Sequence, residues 1–167
     1  MTRPGRAPKP HAVLPPDLRA EGRHRTAITR ATKRALARMD LARHVRDALP
    51  EAPSARMARA RVHVIAIGKA APEMARGALL RWSPFITEVL VVTAEETPIA
   101  ARLSDRRVEV LFASHPLPDR RSVRAGARCL EIAARVAKDR DVLLVLVSGG
   151  ASALVCSPAK GVRLADK

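Results

Sequence analysis

Aromatic side chains are nearly missing from this sequence: one Trp, two Phe and no Tyr among 167 residues. A core must then be built from Val, Leu, Ile and Ala, and the 47% apolar content allows one. Proteins that grip single-stranded nucleic acid stack bases on aromatics set among basic residues. Trp82, Phe85 and Phe112 are scattered, so specific nucleic-acid recognition is not expected. Cysteine is scarce as well. Cys129 and Cys156 have neither CxxC nor Cys/His metal spacing, and two free thiols fit a cytoplasmic protein. No apolar run is long enough to span a bilayer, and the basic start lacks the apolar segment of a secretory signal, so no membrane association is expected. Acidic residues number 16 against 31 Lys and Arg, a formal net charge of +15. Fifteen of the basic and five of the acidic residues fall within the first 61. That balance suits anionic metabolites as well as polyanions, although abundant Arg and Ala are also what a GC-rich coding sequence yields.

What is present is apolar periodicity. Pro4, Pro8, Pro10, Pro15 and Pro16 crowd the first nineteen residues, which predicts a Pro/Arg-rich flexible tail over residues 1–22. A domain is expected over residues 23–167. From about Glu21 to Leu49 the residues Ile28, Ala31, Ala35, Leu36, Met39, Ala42 and Val45 recur at helical steps, predicting one long N-terminal helix that Pro50 and Pro53 end. Four strand-like runs follow: Val62–Ile67, Glu88–Thr93, Val108–Ala113 and Val142–Val147. A helix is expected over about Pro72–Leu80, with Pro72 in its first turn. Another is expected over about Ser122–Ala137, with Val123, Ala127, Leu130, Ala134 and Ala137 as its apolar stripe. Strands alternating with helices give an α/β fold, a three-layer Rossmann-like domain with a mostly parallel sheet. Val142–Val147 lacks polar alternation, the pattern of a central strand buried on both faces. Between Thr93 and Val108 the pattern leaves a short helix or a loop open. Val162–Lys167 reads as the approach to a further helix.

Three strand ends carry the chemistry. Ser148-Gly149-Gly150 ends the fourth run, and Ser152 can begin a helix. Glycines let main-chain N–H groups approach a phosphate closely, and ligands of open α/β sheets bind outside the carboxyl ends of the strands. Gly68-Lys69 ends the first run and places a point charge at a strand–turn–helix mouth. It is not a GxxxxGK[ST] loop, and no GxGxxG is present. Ser114-His115-Pro116-Leu117-Pro118-Asp119 ends the third run. Its prolines fix the directions of His115 and Asp119, and Asp119 is also a natural helix cap. A serine-hydrolase triad is disfavoured, since the GxSxG elbow and its chain order are absent. His11, His24, His44 and His63 show no ligand spacing and read as solvent-facing or structural.

Together GKAAPEMA (Gly68–Ala75), SHPLPDRRSVRAG (Ser114–Gly126) and LVSGGASALVCSPAKGVRLADK (Leu146–Lys167) resemble the N-terminal half of the glycerate 2-kinase family, whose C-terminal half carries the MOFRL domain. The resemblance runs from about residue 24 to the end. It implies ATP-dependent phosphorylation of the 2-hydroxyl of D-glycerate, with Mg2+ or another divalent cation. It implies that Lys69 is the catalytic cation, that Gly68, Ser148, Gly149, Gly150 and Ser152 contact phosphate or substrate, and that His115 and Asp119 lie in the cleft. Which groups hold the metal is unknown from this half. Family members continue well past Lys167, so little kinase activity is expected of these residues alone, and a separately encoded C-terminal half is an expected partner. The chain would then be a truncated product, a fragmentary gene or one half of a split enzyme. The other reading kept open is a non-catalytic α/β module that binds a phosphorylated metabolite or a partner.

Overall fold

A computed structural model describes residues 16–53, 61–95, 103–139 and 141–166. The elements run α1 (Pro16–Arg38), α2 (Leu41–Ala48), β1 (Val62–Ile67), α3 (Ala71–Trp82), β2 (Ile86–Ala94), β3 (Val108–Ala113), α4 (Arg120–Asp139), β4 (Val142–Val147) and α5 (Ala151–Leu154), followed by a 3-10 turn at Leu164–Asp166. The chain divides into a unit of residues 1–39 and a larger one of 40–167. None of the described helices is long and apolar enough to cross a membrane.

All four strands are parallel, in the order β3-β2-β1-β4. Consecutive side chains of a strand point to opposite faces, and the two faces carry separate cores. Val62, Val64, Ala66, Val89 and Val91 pack with Ala71, Ala75, Ala78 and Trp82 of α3. Ile65, Leu90, Val92 and Ala113 pack with Ala125, Ile132 and Val136 of α4 and Leu154 of α5. The expected three-layer α/β fold with a parallel sheet is therefore what the chain forms.

Four expectations need correction. The tail and the single helix differ first. The helix begins at Pro16, inside the stretch read as a tail, and residues 1–15 lie outside the described residues. The helical stretch also breaks at Met39–Asp40. There the Asp40 carboxylate accepts the Arg43 N–H at 3.0 Å and starts α2, the usual role of Asp at an N-cap. Along the apolar stripe Ala42 of α2 is fully buried, whereas Ile28 of α1 is 66% exposed.

The stripe of α4 is rotated from the expected one. Ser122, Ala125, Gly126, Ile132 and Val136 are buried, and Leu130 is 58% exposed. Alanine suits either face, so counting alanines misplaced the stripe; the branched Ile132 and Val136 decide it. Finally, among the described residues β4 stands at an edge of the sheet. Among the described residues it pairs only with β1, and Val145 and Val147 are 49% and 62% exposed. The part of the Thr93–Val108 connection between Glu95 and Leu103 lies outside the described residues.

The amino ends of the strands are closed by charge. His63, 3% exposed, has Nδ1 2.7 Å from Glu88 Oε1 and Nε2 3.2 Å from Asp141 Oδ2. Arg61 bonds Asp141 and Asp139, and Arg135 and Arg128 of α4 pair with Glu88. This network ties β1, β2, β4 and α4 together, so His63 is structural as expected. Before β3, Arg107 donates to both carboxylate oxygens of Asp105 and to the carbonyls of Ser83 and Ile86.

Two outcomes follow from these contacts. Ile132→Ala should lower unfolding free energy in urea by about 3 kcal/mol, and Leu130→Ala by under about 0.5 kcal/mol. Equal losses would restore the expected stripe. The Arg107 guanidinium holds the Asp105 carboxyl down at about 2, against 3.8 ordinarily. A depressed carboxyl stabilises the fold above its unfolded value and stops doing so as pH falls through its folded value. Asp105→Asn should therefore lower the melting temperature at pH 5 and cost progressively less as pH falls from 4 toward 2.

Candidate functional site

The doubly wound order reverses between β1 and β4. From β1 the chain crosses to β2 through α3 on one face; β3 lies beyond β2, and α4 on the opposite face leads back to β4 on the other side of β1. The crevice outside the carboxyl ends at such a reversal is where open α/β sheets bind ligands. Here those ends are Gly68-Lys69 and Ser148-Gly149-Gly150.

A set of hydrogen bonds knots them together. The Lys69 N–H donates to the Gly149 carbonyl at 3.0 Å, and the Ser148 N–H to the Ile67 carbonyl at 2.9 Å. Ser148 Oγ accepts the Ala70 N–H at 3.1 Å, and its hydroxyl lies 3.3 Å from the Ile67 carbonyl. The Ser148 hydroxyl thus anchors the start of α3. Gly68, at φ +120°, makes room for this: a Cβ there would sit 2.2 Å from Ser148 Oγ and 2.7 Å from its carbonyl oxygen. Gly150, at φ +90°, opens α5, whose Ala153 and Leu154 are buried and hold the turn against the sheet. The Cys156 N–H then donates to the Ser122 carbonyl at 3.1 Å and fastens the segment to α4.

His115 reaches this knot from the far edge strand. A Cβ on Gly150 would lie 3.0 Å from His115 Cδ2, 3.2 Å from its Nε2 and 3.7 Å from Lys69 Cγ. So the imidazole and the lysine stem both approach the bare backbone of Gly150, and Lys69 is exposed. Gly68, Lys69, His115, Ser148, Gly149 and Gly150 come together. Ser152 is exposed on the second residue of α5.

Asp119 has a different task. Its carboxylate accepts the N–H groups of Arg121 at 2.9 Å and Ser122 at 3.3 Å, and the Asp119 N–H donates to Ser122 Oγ at 3.1 Å. This is a reciprocal cap on α4. Desolvation pushes its carboxyl up, but the bonds from Arg121 and Ser122 together overcome this and keep it below the ordinary value. Arg121 also pairs with Glu95 just beyond β2. Sequence reasoning missed Glu95 and Arg121; the available signal was that Glu95 follows β2 as Lys69 follows β1.

Chemically the site offers one ammonium group, one imidazole and a glycine turn open to close approach, which suits an anionic oxygen cluster. It does not offer a metal cage. Among the described residues no group of three His, Cys, Asp or Glu could hold a metal ion, and Asp119 is engaged by its own helix. The residues present do not by themselves fit a divalent cation.

The family model described as "Domain of unknown function (DUF4147)" matches residues 27–167. This chain belongs to that family. It is 36% identical over 110 residues to the glycerate 2-kinase of Pyrococcus horikoshii, covering 65% of this chain and 23% of that protein. A protein of Agrobacterium vitis that carries the provisional name hydroxypyruvate reductase is 33% identical over 143 residues, 86% of this chain and 30% of its own length. The crystal structure of a glycerate kinase from Thermotoga maritima superposes with a TM-score of 0.63 at 31% identity, covering 80% of this chain and 30% of that one. The resemblance to the N-terminal half of the glycerate 2-kinases is borne out, and the chain spans a quarter to a third of the length of these relatives.

The knot predicts its own sensitivity. Gly68→Ala places a side chain in a left-handed conformation and into Ser148, so it should cost about 3 kcal/mol of stability in denaturant titration. A loss under about 0.5 kcal/mol would mean that the two turns are not held as described.

Proposed function

We propose that this chain is the N-terminal domain of a glycerate 2-kinase and forms half of its active site. The observation that carries the reading is the meeting of Lys69, His115 and the Ser148–Gly150 turn at the β1/β4 reversal. In the reaction the 2-oxygen of D-glycerate bonds to the γ-phosphorus of ATP, the bond to the bridging oxygen breaks, and ADP leaves. Such transfers need positioning and charge neutralisation more than covalent help from the protein. Lys69 supplies a fixed positive charge to the phosphoryl oxygens. Gly149 and Gly150 let those oxygens approach the backbone, with Gly68 keeping the turn in place. His115 closes the side toward β3, Ser152 lies at the start of α5, and Asp119 sets the direction of the His115 loop from its cap.

The divalent cation that accompanies ATP takes few protein ligands in many kinases, and among the described residues no group of three His, Cys, Asp or Glu could hold it. No step is therefore assigned to it here. A nicotinamide-dependent reduction finds less support, because the glycine pattern lacks the dinucleotide fingerprint. A second reading is a module that binds a phosphorylated metabolite without turning it over; it is favoured by the lack, among the described residues, of a His, Cys, Asp or Glu group that could hold the divalent cation.

ADP release dependent on ATP and D-glycerate separates these readings. It is measured for the chain alone and after adding the C-terminal remainder of the Pyrococcus horikoshii relative. Turnover is expected only in the mixture, and Lys69→Ala should lower it at least about 100-fold while leaving the fold unchanged by circular dichroism. Steady turnover by the chain alone contradicts the half-site. No turnover from halves shown to associate supports the binding module.

A further inference from the structure

We propose that Arg121 is a positioning residue, which braces the His115 loop against the end of β2 and so holds the imidazole over the Gly150 turn. The inference rests on the reading of His115 as a site residue, but not on phosphoryl transfer.

Three observations carry it. The first is the distance that the loop covers. β3 and β4 stand at opposite ends of the order β3-β2-β1-β4. His115 follows β3, yet its ring lies against Gly150, which follows β4. Three strand spacings separate those ends, about 14 Å, more than an imidazole spans by itself. The backbone of the loop must therefore lean over the ends of β2 and β1.

The second is how little holds it there. Among the described residues Ser114–Pro118 make no hydrogen bond. Two of these five are prolines, which have no N–H to give, and Leu117 is 76% exposed. Neither a ladder nor burial fixes the lean, so the two ends of the loop must. One end is Ala113, the last residue of β3. The other is Asp119, whose bonds to the Arg121 and Ser122 N–H groups are local to α4 and set no direction relative to the sheet.

The third is the guanidinium of Arg121. Its Nε donates to Asp119 Oδ2 at 2.8 Å, and its Nη1 donates to the Glu95 carboxylate. Arg121 thus joins the far end of the loop to the residue that follows β2. β2 is one spacing from β3 on the side of Gly150, which is the direction of the lean. A planar fork serves two acceptors at once in fixed directions, as a single ammonium does not. Without it the two carboxylates would repel each other. Arg121 and Glu95 are exposed, so their pairing adds little to global stability. Its effect falls on where the loop lies.

The test reads the nuclear Overhauser effect between the His115 ring Hδ2 and the Gly150 α-protons in the 167-residue chain. The effect is expected in the parent. Arg121→Ala and Glu95→Ala should each weaken it at least about threefold while keeping the circular dichroism of the parent. The double variant should lose no more than either single one. Arg121→Lys should restore part of the effect, and about 0.5 M NaCl should weaken it in the parent but not in Glu95→Ala. If Arg121 served only the α4 cap, Glu95→Ala and salt would leave the effect intact. That result overturns the proposal, as does a parent without the effect or an Arg121→Ala variant with all of it. Should Arg121→Ala alter the circular dichroism, Glu95→Ala, which touches no cap, decides alone. Inorganic phosphate tests the site reading separately, since it should shift the Lys69, His115 and Gly150 signals of the parent together. No shift would remove the anion site and leave the brace standing; a shift with the Overhauser effect untouched by Glu95→Ala would do the reverse.

Discussion

The contact on which the site depends is the knot between the ends of β1 and β4. Two backbone bonds and one serine hydroxyl join Ile67–Ala70 to Ser148–Gly149. They form only because Gly68 has no Cβ to meet Ser148. The consequence is geometric. The Lys69 N–H bond to Gly149 fixes the main chain from which the lysine side chain projects, so the root of the cation and the bare backbone are positioned by one constraint. The 78-residue separation between Ala70 and Ser148 is bridged by strand pairing first, and the knot then adds precision that pairing alone does not give.

The two ends of the sheet divide stability from chemistry. At the amino ends nearly every charge is matched: His63 with Glu88 and Asp141, Arg61 with Asp139 and Asp141, Arg107 with Asp105. Burial pushes the Glu88 carboxyl up, but bonds from His63 and Arg135 overcome this and leave it below its ordinary value. Groups so committed hold strands in register and have little left to offer a ligand. At the carboxyl ends Lys69 is exposed and His115 leans on a glycine rather than on an acid. A binding site needs groups in that condition, and the sheet has room for both conditions because its strands all run the same way.

Local periodicity made the strands and helices of residues 62–147 legible, since each is a short apolar run or a clear helical repeat. What it could not convey was position across the sheet. Val142–Val147 reads as central because it is apolar on both faces, and local composition does not say how many strands pair with it, which among the described residues is β1 alone. Similarly, Asp40 breaks the N-terminal helix through a side-chain bond to Arg43 that the apolar stripe running past it conceals. Within the site, Lys69 and Ser148–Gly150 were legible because turn chemistry is local. The approach of His115 to Gly150 was not, because it depends on a loop crossing the ends of two intervening strands. Asp119 was legible both ways, as cleft residue and as cap, and the cap is what the bonds to Arg121 and Ser122 show.

The place of the crevice gives the open edge its meaning. The reversal point lies between β1 and β4, so β4 is at once a wall of the site and the border of the sheet. A ligand seated on Lys69 and Gly150 would have α3 and the His115 loop on one side and, on the β4 side, no strand among the described residues. Charge attraction between an ammonium group and a phosphoryl oxygen is weak in water and strong where water is excluded. An anion held by Lys69 and the turn is therefore bound more tightly the more completely this crevice is closed to water.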